Sequence, residues 1–73
     1  MATRRVNGGT VRALREALGI KHADFARDVR VSTGYLSNIE QGRKQPSPAV
    51  TKRLADRLGV GMDAITYPVS DAA

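Results

Sequence analysis

The segment DFARDVRVSTGYLSNIEQGRKQPS, residues 24–47, decides the fold of this chain. Its apolar residues recur at three- and four-residue spacing, first over about residues 21–29 and again over about residues 32–41. Ser32 is a suitable N-cap for the second of these helices, and Gly42 ends it. The residues that the two helices should bury are Phe25, Ala26, Val29, Leu36 and Ile39. Two short helices joined by a turn of about three residues predict a helix-turn-helix.

Two further helices flank this motif, one on each side of it in the sequence. Their apolar residues lie on one helical face, and each helix ends at a glycine. These residues are Val11, Leu14 and Leu18 in the first helix and Val50, Leu54 and Leu58 in the fourth. Either Asn7 or Thr10 can cap the first helix, and a short fifth helix is predicted around residues 62–66. Because no segment has a convincing strand pattern, we expect an all-α fold, a compact bundle of four to five short helices.

Length and composition narrow the class of protein. A chain of 73 residues is expected to form one small domain. It contains no cysteine, which excludes disulfides, thiolate zinc sites and thiol nucleophiles. No nucleophile–base pair or phosphate-binding glycine loop is evident, so we expect no catalytic residue, metal or cofactor. No apolar run approaches the roughly 18 residues of a membrane span, and no secretory signal is found, so we expect a cytoplasmic protein.

The charge of the chain indicates a polyanionic partner. The sequence has 12 Lys and Arg residues against 7 Asp and Glu residues, a net charge of +5. No base follows residue 62, so residues 1–62, with twelve bases and five acids, carry a net charge of +7. Such an excess favours nucleic acid as the partner, with an anionic membrane surface as the second candidate.

Three segments together resemble the Xre/Cro family of phage and bacterial transcriptional regulators. They are VRALREALGI (11–20), DFARDVRVSTGYLSNIEQGRKQPS (24–47) and KRLADRLGVGMDAI (52–65), and the run YLSNIEQGRKQPS (35–47) is the most specific part. The resemblance covers about three quarters of the chain. It implies a lambda-repressor-like DNA-binding domain, which we place at residues 7–67. Tyr67-Pro68 breaks the helical pattern and chain ends tend to fray, so we expect a flexible arm at 1–6 and a flexible tail at 68–73.

The resemblance also implies which side chains read DNA bases, namely Thr33, Gly34, Ser37 and Asn38 of the third helix. Asn38 can make a bidentate pair with adenine, and Thr33 offers a methyl group to thymine. Gly34 has no side chain and can only permit a close approach. Ser37 is short, and its hydroxyl can bond the helix backbone instead of a base.

Four other residues match the positions at which the family holds the DNA backbone: His22, Tyr35, Arg43 and Lys44. His22 lies near the start of the second helix, where a hydrogen bond to a phosphate is expected. Tyr35 can bind a phosphate through its hydroxyl or cover the edge of the core with its ring. Arg43 and Lys44 can contact phosphates or simply form a solvated loop.

Two arginines have structural roles in this interpretation. The resemblance implies that Arg15 pairs with Glu40 across the first and third helices, as a partly buried ion pair. Arg30 stands in the turn where the family commonly has glycine, and we expect it to have a positive φ. The remaining bases of the fourth helix, Lys52, Arg53 and Arg57, are expected to form a solvated face.

The leading interpretation is a sequence-specific transcriptional regulator that binds double-stranded DNA, in particular a repressor of the phage or mobile-element type. We expect an inverted-repeat operator and a homodimer that forms on the DNA, with no membrane partner. An antitoxin of a toxin–antitoxin pair is one alternative. A protein-interaction module without DNA binding is another, although its third helix would be acidic or apolar rather than polar.

Overall fold

The computed structural model describes residues 3–69, which form four α-helices, a 3-10 helix and two short strands. In chain order they are β1 (Thr3–Val6), α1 (Gly8–Ala17), α2 (His22–Asp28), α3 (Thr33–Glu40), α4 (Pro48–Leu58), a 3-10 helix (Met62–Ile65) and β2 (Thr66–Val69). The predicted helical bundle is confirmed, and the predicted fifth helix is a single 3-10 turn.

The core lies where the four helices meet and consists of Phe25 and aliphatic side chains. Its buried members are Val6, Val11, Phe25, Ala26, Val29, Leu36, Ile39, Leu54, Ala55, Leu58 and Ile65. Leu18, which the periodicity assigned to the buried face of α1, is 55% exposed. That prediction is wrong for Leu18, which is the C-cap of α1 and lies at the exposed end of the helix.

Side chains cap three of the four helices. Asn7 accepts from the amide of Thr10, Ser32 from that of Tyr35, and Ser47 from that of Val50. The first of these selects Asn7 over Thr10 as the cap of α1. Lys21 stands at the N-cap of α2, where no side chain accepts a hydrogen bond.

A two-stranded antiparallel sheet joins the two ends of the described chain. Thr3 pairs with Val69, and Val6 pairs with Thr66. The expectation that the chain has no strand is therefore wrong. Residues 3–6 of the predicted flexible arm and residues 68–69 of the predicted flexible tail are paired in this sheet. Met1, Ala2 and residues 70–73 lie outside the described residues.

The hydrogen bonds at the start of the sheet explain how a proline fits into β2. Asn7 donates its amide to the carbonyl of Ile65. Because bonded and non-bonded pairs alternate along an antiparallel ladder, the pair of Arg4 and Pro68 is a non-bonded one. Pro68 thus occupies a position whose amide would point away from β1, and the missing N–H costs the sheet no hydrogen bond.

Arg30, in the turn between α2 and α3, has a φ of 64°. Among residues 3–69 it is the one non-glycine residue with a positive φ. A hydrogen bond from the amide of Val31 to the carbonyl of Ala26 spans Arg30 and ends α2. The predicted left-handed conformation of Arg30 is confirmed.

Candidate nucleic-acid interface

The inner face of α3, formed by Leu36, Ile39 and Glu40, fixes this helix in the bundle. Leu36 is fully buried and Ile39 is 1% exposed. At the other end of the contact, Gly8 of α1 lies so close to α3 that an added Cβ would be 2.0 Å from the carbonyl oxygen of Ile39. The position and the tilt of α3 are therefore set by close packing on its inner face.

The predicted ion pair between Arg15 and Glu40 is present on the same side of α3. Arg15 Nε donates to Glu40 Oε2 at 2.8 Å, and Nη2 donates to Oε1 at 3.4 Å. A third bond runs from Arg15 Nη1 to the carbonyl of Ile20 at 2.8 Å. The two side chains are 10% and 5% exposed, so each charge depends on the other for its stabilisation.

The outer face of α3, formed by Thr33, Gly34, Ser37 and Asn38, brings the four predicted base-reading residues together. They lie at positions i, i+1, i+4 and i+5 of one helix, which share a side. Thr33 and Gly34 are exposed, while Ser37 and Asn38 are half-buried. Nothing lies within 4 Å of a Cβ built on Gly34, so the middle of this face is open to a partner.

Gln41, the C-cap of α3, extends the outer face by one position that the sequence did not single out. It lies three residues after Asn38 and four after Ser37, and it is exposed. A glutamine amide carries the same donor and acceptor groups as asparagine and can pair with adenine in the same way. The signal in the sequence was its spacing, four residues beyond Ser37.

The structure joins a predicted phosphate ligand to a predicted base reader. His22 Nε2 of α2 lies 3.2 Å from Ser37 Oγ of α3, and both side chains are half-buried. The hydroxyl of Ser37 is thus hydrogen-bonded to an imidazole. It does not bond the helix backbone, which was the alternative considered from the sequence. The tautomer of His22 decides which of the two atoms donates, and therefore what Ser37 still offers to a base.

The loop of residues 42–45 folds back onto the end of α3. The carbonyl of Asn38 accepts from the amides of Arg43 at 2.8 Å and Lys44 at 3.2 Å. Gly42 has a φ of 78°, which allows the chain to reverse at this point. A third backbone hydrogen bond runs from the amide of Gly42 to the carbonyl of Ile39, so the loop is held firmly to α3. The side chains of Arg43 and Lys44 are exposed.

Gln45 ties the other end of the same loop to the sheet. Its Oε1 accepts from the amide of Val6 at 2.8 Å, and its Nε2 donates to the carbonyl of Val6 at 3.2 Å. The amide side chain thereby takes the place of a neighbouring strand on the free edge of β1. This pair of hydrogen bonds could not be predicted, because Gln45 and Val6 are 39 residues apart in the sequence.

Tyr35 has the position of a side chain that covers the core. Its ring is half-buried and packs against the core cluster. This arrangement matches the structural alternative for Tyr35, and a phosphate contact by its hydroxyl stays a prediction. At this end of the motif, Lys21 is a better candidate than Tyr35 for a phosphate contact, since its side chain is positively charged and exposed and it directly precedes His22.

Several bases are already paired with carboxylates, which changes the interpretation of α4. Lys52 pairs with Asp56, and Arg57 pairs with Asp28 at 2.8 Å. Arg53 donates to the carbonyl of Val29 at 2.9 Å and is half-buried, so the prediction of a purely solvated face is wrong for it. Its hydrogen bond satisfies a carbonyl at the end of α2.

The bases that no carboxylate pairs with inside residues 3–69 are distributed unevenly. They are Arg4, Arg5, Lys21, Arg30, Arg43, Lys44 and Arg53. Arg43 and Lys44 follow the end of α3, and Lys21 lies beside the half-buried His22. The outer face of α3 is therefore flanked by cations whose charge is not neutralised within the described structure. Over the same residues, no helix is both long enough and apolar enough to cross a bilayer.

Comparisons with known proteins agree with this geometry. A family model described as a helix-turn-helix domain matches residues 8–65. The sequence is 33% identical over 61 residues to the uncharacterized HTH-type transcriptional regulator YazB of Bacillus subtilis, an alignment that covers 84% of this chain and 88% of YazB.

Solved structures of similar fold include two regulators. The crystal structure of the clp gene regulator ClgR from Corynebacterium glutamicum matches with a TM-score of 0.73 at 34% identity, over 75% of this chain and 58% of that one. The P22 c2 repressor in complex with a synthetic operator matches with a TM-score of 0.73 at 28% identity, over 77% of this chain and 85% of that one.

Proposed function

Because this chain belongs to the helix-turn-helix domain family, we propose that it is a sequence-specific transcriptional regulator that inserts α3 into the major groove of double-stranded DNA. One observation carries the proposal. The inner face of α3 is fully buried, whereas its outer face is polar, open and flanked by cations without carboxylate partners. The major groove is about 12 Å wide and accommodates a helix presented in this way.

The outer face of α3 divides into contacts of different chemistry. Asn38 pairs with an adenine through its amide, and Thr33 contacts a thymine methyl group with its own methyl group. Gly34 lets the helix backbone approach the base edges, since no side chain stands between them. Ser37 contributes one hydrogen bond, whose direction depends on its bond to His22.

The flanking cations set the register of the protein on the duplex. Arg43 and Lys44 contact phosphates from a loop that is hydrogen-bonded to the end of α3, so a shift of α3 in the groove moves them too. His22 and Lys21 contact the backbone on the other side of the helix-turn-helix. These contacts are independent of sequence, and they contribute most of the salt-dependent part of the affinity.

Repression and dimeric binding are the finer parts of the proposal. The P22 c2 repressor, whose complex holds a synthetic operator, supports a repressor that binds an operator. An inverted repeat would accept two copies of this chain, with their α3 helices in successive major grooves about 34 Å apart. The two copies would meet only on the DNA, so the free chain would be a monomer.

The experiment that tests the proposal is selection of binding sites from random duplexes, followed by salt titration on the recovered site. We expect an inverted repeat, because each copy reads one half of the site. If each half engages about four phosphates, log K should fall against log salt with a slope of about −7. No enriched sequence, or a flat response to salt, would contradict the proposal and favour a protein-interaction module.

A further inference from the structure

The sheet places the two neighbouring arginines of β1 on opposite sides. Side chains alternate along a strand, so Arg4 points to the side of Val6 and Arg5 points away from it. The two arginines also line different depressions in the surface: Arg4 shares one with Met62 and Asp63, and Arg5 shares another with Gly42. Two adjacent residues of the same charge therefore face different surroundings.

Arg4 is already used within the fold. Its Nε donates to Thr66 Oγ1 at 2.8 Å, and its Nη2 donates to the carbonyl of Thr66 at 3.1 Å. The same hydroxyl of Thr66 donates to the carbonyl of Met62 at 2.8 Å. Arg4 thereby connects β1 to β2 and, through Thr66, to the 3-10 helix.

Arg5, in contrast, makes no side-chain hydrogen bond or ion pair with any of residues 3–69. It lines an open depression of about 330 Å³ together with Gly42, Gln45 and Tyr67. Gly42 and Gln45 are the two ends of the loop that carries Arg43 and Lys44. The guanidinium of Arg5 thus continues the cationic surface of that loop toward the sheet.

Tyr67 lies opposite Arg5 on the neighbouring strand. The two residues are directly paired in the register of β1 and β2, which puts their side chains next to each other on one face. Tyr67 is 43% exposed, so its ring is free to lie along the arginine stem. Such a contact reduces the conformational entropy that Arg5 would lose on binding a ligand.

We propose that Arg5, supported by Tyr67, contacts a DNA phosphate outside the base pairs that α3 reads. The inference rests on the proposed function, and it assigns a binding role to a sheet whose two strands lie outside the residues that the family model matches, 8–65. Arg5 lines the same depression as Gly42 and Gln45, which flank Arg43 and Lys44 in the sequence, so a DNA strand bound by those two bases would run close to Arg5. No carboxylate among the residues that line the depression opposes a phosphate there.

The test compares Arg5→Gln with Arg4→Gln in the full chain, by fluorescence anisotropy on two duplexes. One duplex holds the selected site alone, and the other extends it by several base pairs on each side. Arg5→Gln should weaken binding to the extended duplex about three- to tenfold and make the salt slope shallower by about one for each bound copy. On the short duplex it should bind like the wild type.

Arg4→Gln is the matched control, since it removes the same charge from the same strand. It should leave the affinity and the salt slope unchanged and lower the melting temperature, because the bonds to Thr66 are lost. Equal weakening by both variants would mean a bulk charge effect and would overturn the contact. So would wild-type affinity of Arg5→Gln on the extended duplex, or equal weakening on both duplexes. If the wild type binds neither duplex, the proposed function fails together with the contact.

Discussion

The inner and outer faces of α3 belong to one eight-residue helix but are constrained by different partners. On the inner face, Leu36 is fully buried and Glu40 is held by Arg15 at 2.8 Å. On the outer face, Thr33 and Gly34 are exposed, and a Cβ at Gly34 would meet no atom of the protein. Substitutions on the inner face should therefore change the free energy of unfolding, and those of Thr33 and Asn38 on the outer face should mainly change DNA binding.

The largest effect on stability is expected at Glu40. Glu40→Ala leaves the guanidinium of Arg15 buried without its carboxylate, which should cost about 3–5 kcal/mol. Arg15→Ala should also be destabilising, since it leaves the carboxylate of Glu40 without its partner and removes the hydrogen bond to the carbonyl of Ile20. Urea melts of both variants and of the double mutant measure the coupling between them. Additive losses would show that the pair contributes nothing, despite its geometry.

A smaller loss is expected at Gly8, where α1 touches α3. Gly8→Ala places a Cβ 2.0 Å from the carbonyl oxygen of Ile39, so the two helices must move apart, at a cost of about 1–3 kcal/mol. Gly9→Ala is the matched control, because its Cβ would meet only the Asn7 side chain, at 3.4 Å. Alanine should even stabilise α1 there, by up to about 1 kcal/mol. Equal thermal stability of the two variants would show that the close approach is not needed.

Variants of Asn38, on the outer face, and of Arg43, in the loop after α3, distinguish base reading from phosphate binding. Asn38→Ala should weaken binding to the preferred site by about 1–3 kcal/mol and relax the preference at one base pair. Arg43→Ala should weaken all sequences to a similar degree and make the salt slope shallower by about one for each bound copy. Neither variant should melt earlier than the wild type. If Arg43→Ala changes the preferred sequence and Asn38→Ala does not, the two roles are exchanged.

The helices and their ends could be predicted because their signals are local. Ser32 and Ser47 cap α3 and α4 as expected, and the apolar spacing located Phe25 and Leu36 in the core. The pairing of Arg15 with Glu40 came from the family resemblance and is present in the structure. The caps and the core positions depend on residues a few positions apart in the sequence. The ion pair could be predicted because the segments that contain Arg15 and Glu40 both resemble the family.

The sheet and the contacts around it could not be predicted, because they join distant parts of the chain. β1 and β2 are four residues each, and β2 contains Pro68, at a position where the register of the sheet needs no amide N–H. The bonds between Gln45 and Val6, and between His22 and Ser37, depend on how helices and strands are packed. Periodicity within one element carries no information about these distances.

The smallest effect is expected in the turn that joins α2 to α3. Arg30 has a φ of 64°, close to the 70°, 78° and 75° of the glycines that end the other helices. An L-residue in this conformation costs roughly 1 kcal/mol more than glycine, while glycine also enlarges the unfolded ensemble and offsets part of the gain. Arg30→Gly should therefore be neutral or stabilise the fold by up to about 1 kcal/mol. Arg30→Ala removes the same side chain but keeps the Cβ, so in urea melts it should be less stable than Arg30→Gly. A lower stability of Arg30→Gly than of Arg30→Ala would mean that the larger unfolded ensemble of the glycine variant outweighs the relief of backbone strain, and would contradict the prediction.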